Sequence, residues 1–217
     1  MGKIAFVFSG QGAQHPGMAK DFYDNIAGVH ALFTEAEQIR EGTLRQCFDG
    51  SAEVLRRTEN TQPCLYLADL AAAMALKELG IVPDAVAGFS LGEIPALAFS
   101  GAFSDILGFR IACRRGEVMA EATKETDASM LAVLKLTNAQ VDGACKEYEQ
   151  VYPVNYNCPG QVVVSGKRDE LERFQESIRL LGGKTMKLAV SGGFHSPFMD
   201  SAAENFGKYL SETEIGT

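Results

Sequence analysis

Three features of the chain have the residue types and spacing for covalent acyl chemistry: a serine between two glycines, a histidine near the C-terminal end, and two adjacent arginines. Gly88-Phe89-Ser90-Leu91-Gly92 is a G-x-S-x-G motif between an apolar segment at 85–89 and a helical stretch from Leu91. That context suits the motif, because a strand-to-helix turn this sharp favours glycine at both flanks and presents the serine hydroxyl at a helix start. The Leu91 backbone N–H can donate there to an oxyanion forming on an attacked carbonyl, with help from the helix dipole. The same residues also fit a helix N-cap serine whose glycines serve close packing. A serine nucleophile needs a base, and histidine has a suitable pKa. His30 lies in a helical stretch and His15 in a glycine-rich loop, whereas His195, in Phe194-His195-Ser196-Pro197, follows a strand-like segment and opens a helix. Arg114 and Arg115 lie in a helical run. Beside a reactive serine an arginine fork would hold a free carboxylate; the alternative is a solvated pair on a helix surface.

A second glycine-rich segment, Ser9-Gly10-Gln11-Gly12-Ala13-Gln14, directly follows the apolar strand predicted at 3–8. Glycines there let the backbone approach a substrate, so the Gln11 N–H qualifies as a second oxyanion donor. A phosphate loop is the other reading, but the third glycine of G-x-G-x-x-G and a P-loop lysine are both missing.

The elements that must position these groups are visible as periodicity. Helical spacing runs through 27–40 and 62–79, with Gly80 as a stop, and through 104–123, with Ser104 as N-cap. From 129 the rhythm changes to strand 129–135, helix 138–150, strands 151–157 and 161–166 around Cys158-Pro159-Gly160, helix 168–181 and strand 184–190. This β-α-β-β-α-β order is that of a ferredoxin-like split unit. The expected fold is therefore α/β: a layered core of residues 1–126 and 191–217, carrying a small insert at 127–190. Residues 196–210 return to helix.

Composition limits the function classes. The chain has 217 residues, 46% hydrophobic and 22% charged, as in soluble globular proteins able to bury a core without staples. A net charge of −8 and a pI near 5.0 argue against nucleic-acid binding. An acidic partner would need a local basic strip, and Lys167, Arg168, Arg173, Arg179, Lys184 and Lys187 outnumber the acids around them. Cys47, Cys64, Cys113, Cys145 and Cys158 form no CxxC pair and the histidines are scattered, so no metal site is expected. The cysteines read as small buried hydrophobes in a reducing compartment. MGKIAFVFSGQG is neither a signal peptide nor a membrane span, and it lacks the Ser or Thr of a myristoylation motif, which points to the cytoplasm.

FSGQGAQ (8–14), TQP (61–63), GFSLGE (88–93), RRGEVM (114–119), NYNCPGQVVVSG (155–166) and FHSP (194–197), in this order over essentially the whole chain, resemble the malonyl-CoA:acyl carrier protein transacylase family. The pattern recurs in acyltransferase domains of fatty-acid and polyketide synthases. The resemblance implies an α/β-hydrolase-like core with an inserted ferredoxin-like small subdomain, lacking the family's C-terminal part. It implies ping-pong transfer of malonyl from coenzyme A, through a seryl ester, to the phosphopantetheine thiol of acyl carrier protein, with no cofactor. It makes Ser90 the nucleophile, His195 the general base, Arg115 the grip on the malonyl carboxylate, and Gln11 and Leu91 the oxyanion donors. Gln62 and Asn157 become pocket-lining positions, and Phe194 narrows the pocket against methylmalonyl.

Two departures stand out. Phe89 occupies the position where the family usually has histidine. Family members also continue past the equivalent of Thr217, adding core strands and a backbone carbonyl that holds the catalytic histidine. The resemblance then implies a poor catalyst in isolation, prone to self-association or in need of a complementary segment. Asp200 is close to His195 in sequence but belongs to no motif that would replace the carbonyl. Two rival readings follow. One is a serine esterase or thioesterase, with Asp105, Asp127, Asp142 or Asp169 as the third residue. The other is a non-catalytic remnant that binds a carrier protein.

Overall fold

The computed structural model describes residues 2–190 and 192–215. The chain divides into two compact units, residues 1–117 with 206–217, and residues 118–205.

The first unit opens with β1 (Ala5–Phe8), followed by α1 (Lys20–Asn25), α2 (Ala27–Ile39), α3 (Thr43–Asp49), α4 (Ala52–Arg56) and α5 (Thr58–Glu78). Then come β2 (Ala85–Gly88), a 3-10 turn at Ser90–Gly92, α6 (Glu93–Phe99) and α7 (Asp105–Ala122). β1 and β2 pair in parallel, with Ala5 opposite Ala85 and Phe8 opposite Gly88. Side chains alternate along a strand, so Phe6 and Phe8 share one face. That face is buried against Phe99 of α6, at ring separations of 5.6 and 5.8 Å. The core continues through Tyr66, Leu67 and Leu70 of α5, Phe33 of α2 and Phe109 of α7.

The short α1, α3 and α4 escaped the sequence reading because they are polar and too brief for a periodic signal. α5 begins at Thr58, four residues before the start read from sequence, and so holds Pro63 inside the helix. A proline there leaves the carbonyl four residues earlier without its amide partner. That carbonyl, Glu59, accepts instead from Arg40 Nη2 at 3.2 Å, and the same nitrogen reaches Asn60 Oδ1 at 2.8 Å. At the other end Gly80, with φ +77°, donates to the Lys77 carbonyl and Ile81 to that of Leu76, the two bonds of a Schellman stop. Ser104 caps α7 by accepting from the Leu107 N–H at 3.2 Å.

The second unit holds β3 (Ala128–Leu134), α8 (Asn138–Cys145), β4 (Val151–Cys158), β5 (Gln161–Lys167), α9 (Arg168–Leu180) and β6 (Lys184–Lys187). A 3-10 turn at Pro197–Met199 leads into α10 (Asp200–Ser211). The four strands make an antiparallel sheet in the order β4-β5-β3-β6. Leu131, Val133, Val162 and Val164 pack against Leu171, Phe174 and Ile178 of α9 and Val141 of α8. The 171, 174, 178 spacing is one helix face. Thr137 and Gln140 form a complete capping box on α8. α8 ends at Cys145 instead of reaching 150, because Tyr148 turns off to pack edge-on against Phe174 at 5.6 Å and bond Ser177. Likewise β6 stops at Lys187, although Leu188 still donates to the Met130 carbonyl.

One expectation needs correction: Cys158, at the tip of the β4-β5 hairpin, is exposed, unlike buried Cys47, Cys64 and Cys145. In the basic strip, three of the six residues form surface ion pairs: Arg168 with Asp127, Arg173 with Glu170 and Arg179 with Glu176. Among the described residues, no helix is long and apolar enough to cross a membrane.

Candidate active site

In the first unit the chain makes a sharp turn at Ser90. Its φ of +55° lies in the left-handed region, where a side chain costs roughly 1–2 kcal/mol. Both glycines of the motif are dictated by sterics. A Cβ at Gly88 would collide with the Gly92 and Glu93 backbone, and one at Gly92 with the Phe8 carbonyl. The turn is tied to β1 by the Phe89 N–H, which donates to the Phe8 carbonyl at 3.1 Å. Leu91 is fully buried and anchors it from below. Phe89 is 48% exposed, and its ring edge fills the space beside Gly10 that a Cβ would need.

Arg115 on α7 donates from Nη2 to Ser90 Oγ at 3.2 Å and from Nη1 to Gln62 Oε1 at 2.9 Å. Gln62 is fully buried on α5 and orients the guanidinium. Gly116 favours this approach: a Cβ there would come within 3.2–3.3 Å of the Thr58 carbonyl and Gln62 Cβ, a tight contact that α5 would have to give way to by a few tenths of an ångström. Burial lowers the Arg115 pKa from its ordinary value while Glu93 raises it. The group remains a cation beside a hydroxyl, and its two amino groups present the fork that a carboxylate matches.

The loop after β1 is gripped by α5 at two points. Gln11 Nε2 donates to Thr58 Oγ1 at 3.3 Å, and Ser9 Oγ donates to Asp69 Oδ1 at 2.8 Å. Thr58 and Asp69 were not singled out from sequence. Their only local signal was their spacing of four and seven residues from Gln62, which puts all three on one helix face. The first unit therefore brings together Ser90, Leu91, Arg115, Gln62 and Gln11.

The second unit holds the remaining candidates. Gly192, Gly193 and Phe194 are buried; a Cβ at Gly193 would stand 2.7 Å from Ser165 Oγ and from the Phe198 ring. The chain then exposes His195 at φ +60°, and Ser196 Oγ closes the turn on the Gly193 carbonyl at 2.6 Å. Asn157 is exposed on β4 and donates to Gln161 Oε1 at 3.1 Å. The acids considered for an esterase triad are engaged elsewhere. Asp127 pairs with Arg168, Asp142 accepts from Tyr156 and Asp169 binds the Glu170 N–H. Asp105 is drawn towards its neutral form by burial at the start of α7. No group of three or more His, Cys, Asp or Glu side chains suited to a metal occurs among the described residues.

Comparison with known proteins adds an independent line. Residues 5–215 match the acyl transferase domain family. The malonyl CoA-acyl carrier protein transacylase of Bacillus subtilis is 39% identical over 99% of this chain and 70% of its own length. The crystal structure of the malonyl CoA-acyl carrier protein transacylase from Clostridium perfringens superposes with a TM-score of 0.93 at 37% identity, covering 100% of this chain and 70% of that one. A malonyl-transacylase in complex with its type II polyketide synthase acyl-carrier protein superposes at 0.92 with 35% identity, covering 99% and 72%.

Proposed function

The chain belongs to the acyl transferase family, and from that premise we propose that it moves malonyl from coenzyme A to the phosphopantetheine thiol of acyl carrier protein in fatty-acid or polyketide biosynthesis. The observation that carries this reading is the Arg115 guanidinium, held by Gln62 and 3.2 Å from Ser90 Oγ. A cation with a carboxylate-shaped fork beside the nucleophile selects an acyl group that carries its own carboxylate.

In the first half-reaction Ser90 Oγ attacks the thioester carbonyl and loses its proton to His195, the base that the family motif assigns. The backbone N–H groups of Gln11 and Leu91 receive the oxyanion. Collapse breaks the carbon–sulfur bond, the thiol leaves with the proton, and malonyl remains as an ester on Ser90. The carrier-protein thiol then reverses these steps. Thioester and ester exchange balance without a cofactor. Phe194 would narrow the acyl pocket, and Asn157 would line it. We read the β-α-β-β-α-β run with strand order β4-β5-β3-β6 as a ferredoxin-like subdomain at 127–190, and residues 1–126 with 191–217 as a hydrolase-like core. A cytoplasmic location goes with this reading.

Intact-protein mass spectrometry after mixing with malonyl-CoA tests the proposal. A malonyl adduct is expected on the parent and none on Ser90→Ala; an adduct that survives the substitution refutes the nucleophile. Release of the acyl group to water rather than to a carrier-protein thiol would favour the thioesterase reading.

A further inference from the structure

The face of α5 that carries Thr58 and Gln62 has a third polar member, Asp69, to which the transfer steps assign no role. Asp69 accepts from Ser9 Oγ at 2.8 Å through one oxygen, while the other is buried with no hydrogen-bond partner among the described residues. A carboxylate in that setting is costly to keep ionised. Burial pushes its pKa up to about 6, even though Ser9 pulls it down through both side chain and backbone.

Its bond ends on the residue that begins the Gly10-Gln11 loop. That loop and the Ser90 turn fit without slack: a Cβ at Gly10 would stand 2.6 Å from the Phe89 carbonyl, and one at Gly92 would stand 2.8 Å from the Ser9 carbonyl. A shift of Ser9 therefore displaces the Gln11 backbone relative to Ser90.

We propose that Asp69 is a positioning residue for acyl transfer, which through Ser9 holds the Gln11 N–H where the oxyanion forms on the acyl group attacked by Ser90. The proposal rests on the malonyl-transfer reading above. Loss of the anchor loosens a donor that matters in the transition state, so it acts on the chemical step and not on capture of malonyl-CoA.

The test is the single-turnover rate of Ser90 acylation against malonyl-CoA concentration for the parent, Asp69→Ala, Asp69→Asn, Ser9→Ala and the Ser9→Ala/Asp69→Ala pair. Asp69→Ala and Ser9→Ala should each lower the maximal rate about tenfold, with the half-saturating concentration changed by less than about twofold. The double variant should lose no more than Asp69→Ala alone, because that substitution already removes both the hydroxyl and the backbone link to Ser9. Asp69→Asn should recover most of the rate, since its amide oxygen still accepts from Ser9. A maximal rate equal to the parent's in Ser9→Ala or in folded Asp69→Ala overturns the proposal, as does multiplication of the two losses in the double variant. If Asp69→Ala fails to fold, Ser9→Ala and Asp69→Asn decide alone. A parent that gains no adduct overturns the transfer reading and this proposal together; a parent that acylates while Ser9→Ala matches it overturns only the proposal.

Discussion

At the residue scale, the site is a set of short contacts between positions far apart in the chain, so single substitutions read it directly. Arg115 bonds Ser90 and Gln62. Hydrogen bonds to a charged group contribute about 1.5–3 kcal/mol, roughly ten- to over a hundredfold in rate when realised in the transition state. Arg115→Ala should lose malonyl transfer by that factor and gain relative acetyl transfer; the malonyl-to-acetyl ratio of initial rates is the check, and an unchanged ratio refutes the role. Asp69 offers a second prediction, in stability. Its folded pKa, about 6, lies above an ordinary value of 3.8, so the folded state binds the extra proton between those values. The stabilisation that protonation confers is complete below about pH 4 and lost as pH rises through 6. Asp69→Asn, neutral throughout, should therefore be more stable than the parent by roughly 1–3 kcal/mol at pH 8, with the gap closing towards pH 4. Urea unfolding at both pH values measures it, and a gap of equal size at the two would refute the assignment.

At the element scale, α5 is the ruler of the site: Thr58, Gln62 and Asp69 hold Gln11, Arg115 and Ser9 from one helical face. Its first turn depends on Arg40, which satisfies the Glu59 carbonyl released by Pro63 and also bonds Asn60. Arg40→Ala leaves that carbonyl unpaired, at a cost of about 1–3 kcal/mol. Because the turn also carries Thr58 and Gln62, the same change should slow acylation of Ser90. Thermal unfolding and single-turnover acylation together test this, and a variant that unfolds earlier yet acylates at the parent rate would show that the turn does not support the site.

At the scale of the whole molecule, the distribution of apolar surface is uneven. Parallel sheets are normally covered on both faces. Here Phe6 and Phe8 face the core, whereas Ala5, Val7, Ala85 and Ala87 are exposed, Val7 to 76%. A bare sheet face of this kind favours association. Sedimentation velocity should show concentration-dependent self-association of this chain, weakened by Val7→Lys. A parent that stays monomeric at high concentration, or a Val7→Lys variant that associates equally, would count against the face.

The sequence by itself determined what local sterics and periodicity control. Gly88 and Gly92 announced a turn that no larger residue can make, Gly80 and Ser104 marked helix ends, and apolar runs and helical spacing placed the strands and the long helices of the described residues within a few positions. Those signals act over one or two turns of chain, so one sequence carries them. Only tertiary structure decided where α5 starts, because its first turn is rescued by Arg40, 19 residues before Glu59. The Ser9–Asp69 bond spans 60 residues and Arg115–Ser90 spans 25, and neither partner's neighbours in sequence predict the other. Which face of β1 and β2 is covered was likewise undetermined, since phenylalanine, valine and alanine all suit a parallel strand buried on both sides. Packing against Phe99 selected one face, and that choice follows from how α6 returns over the sheet rather than from the strands themselves.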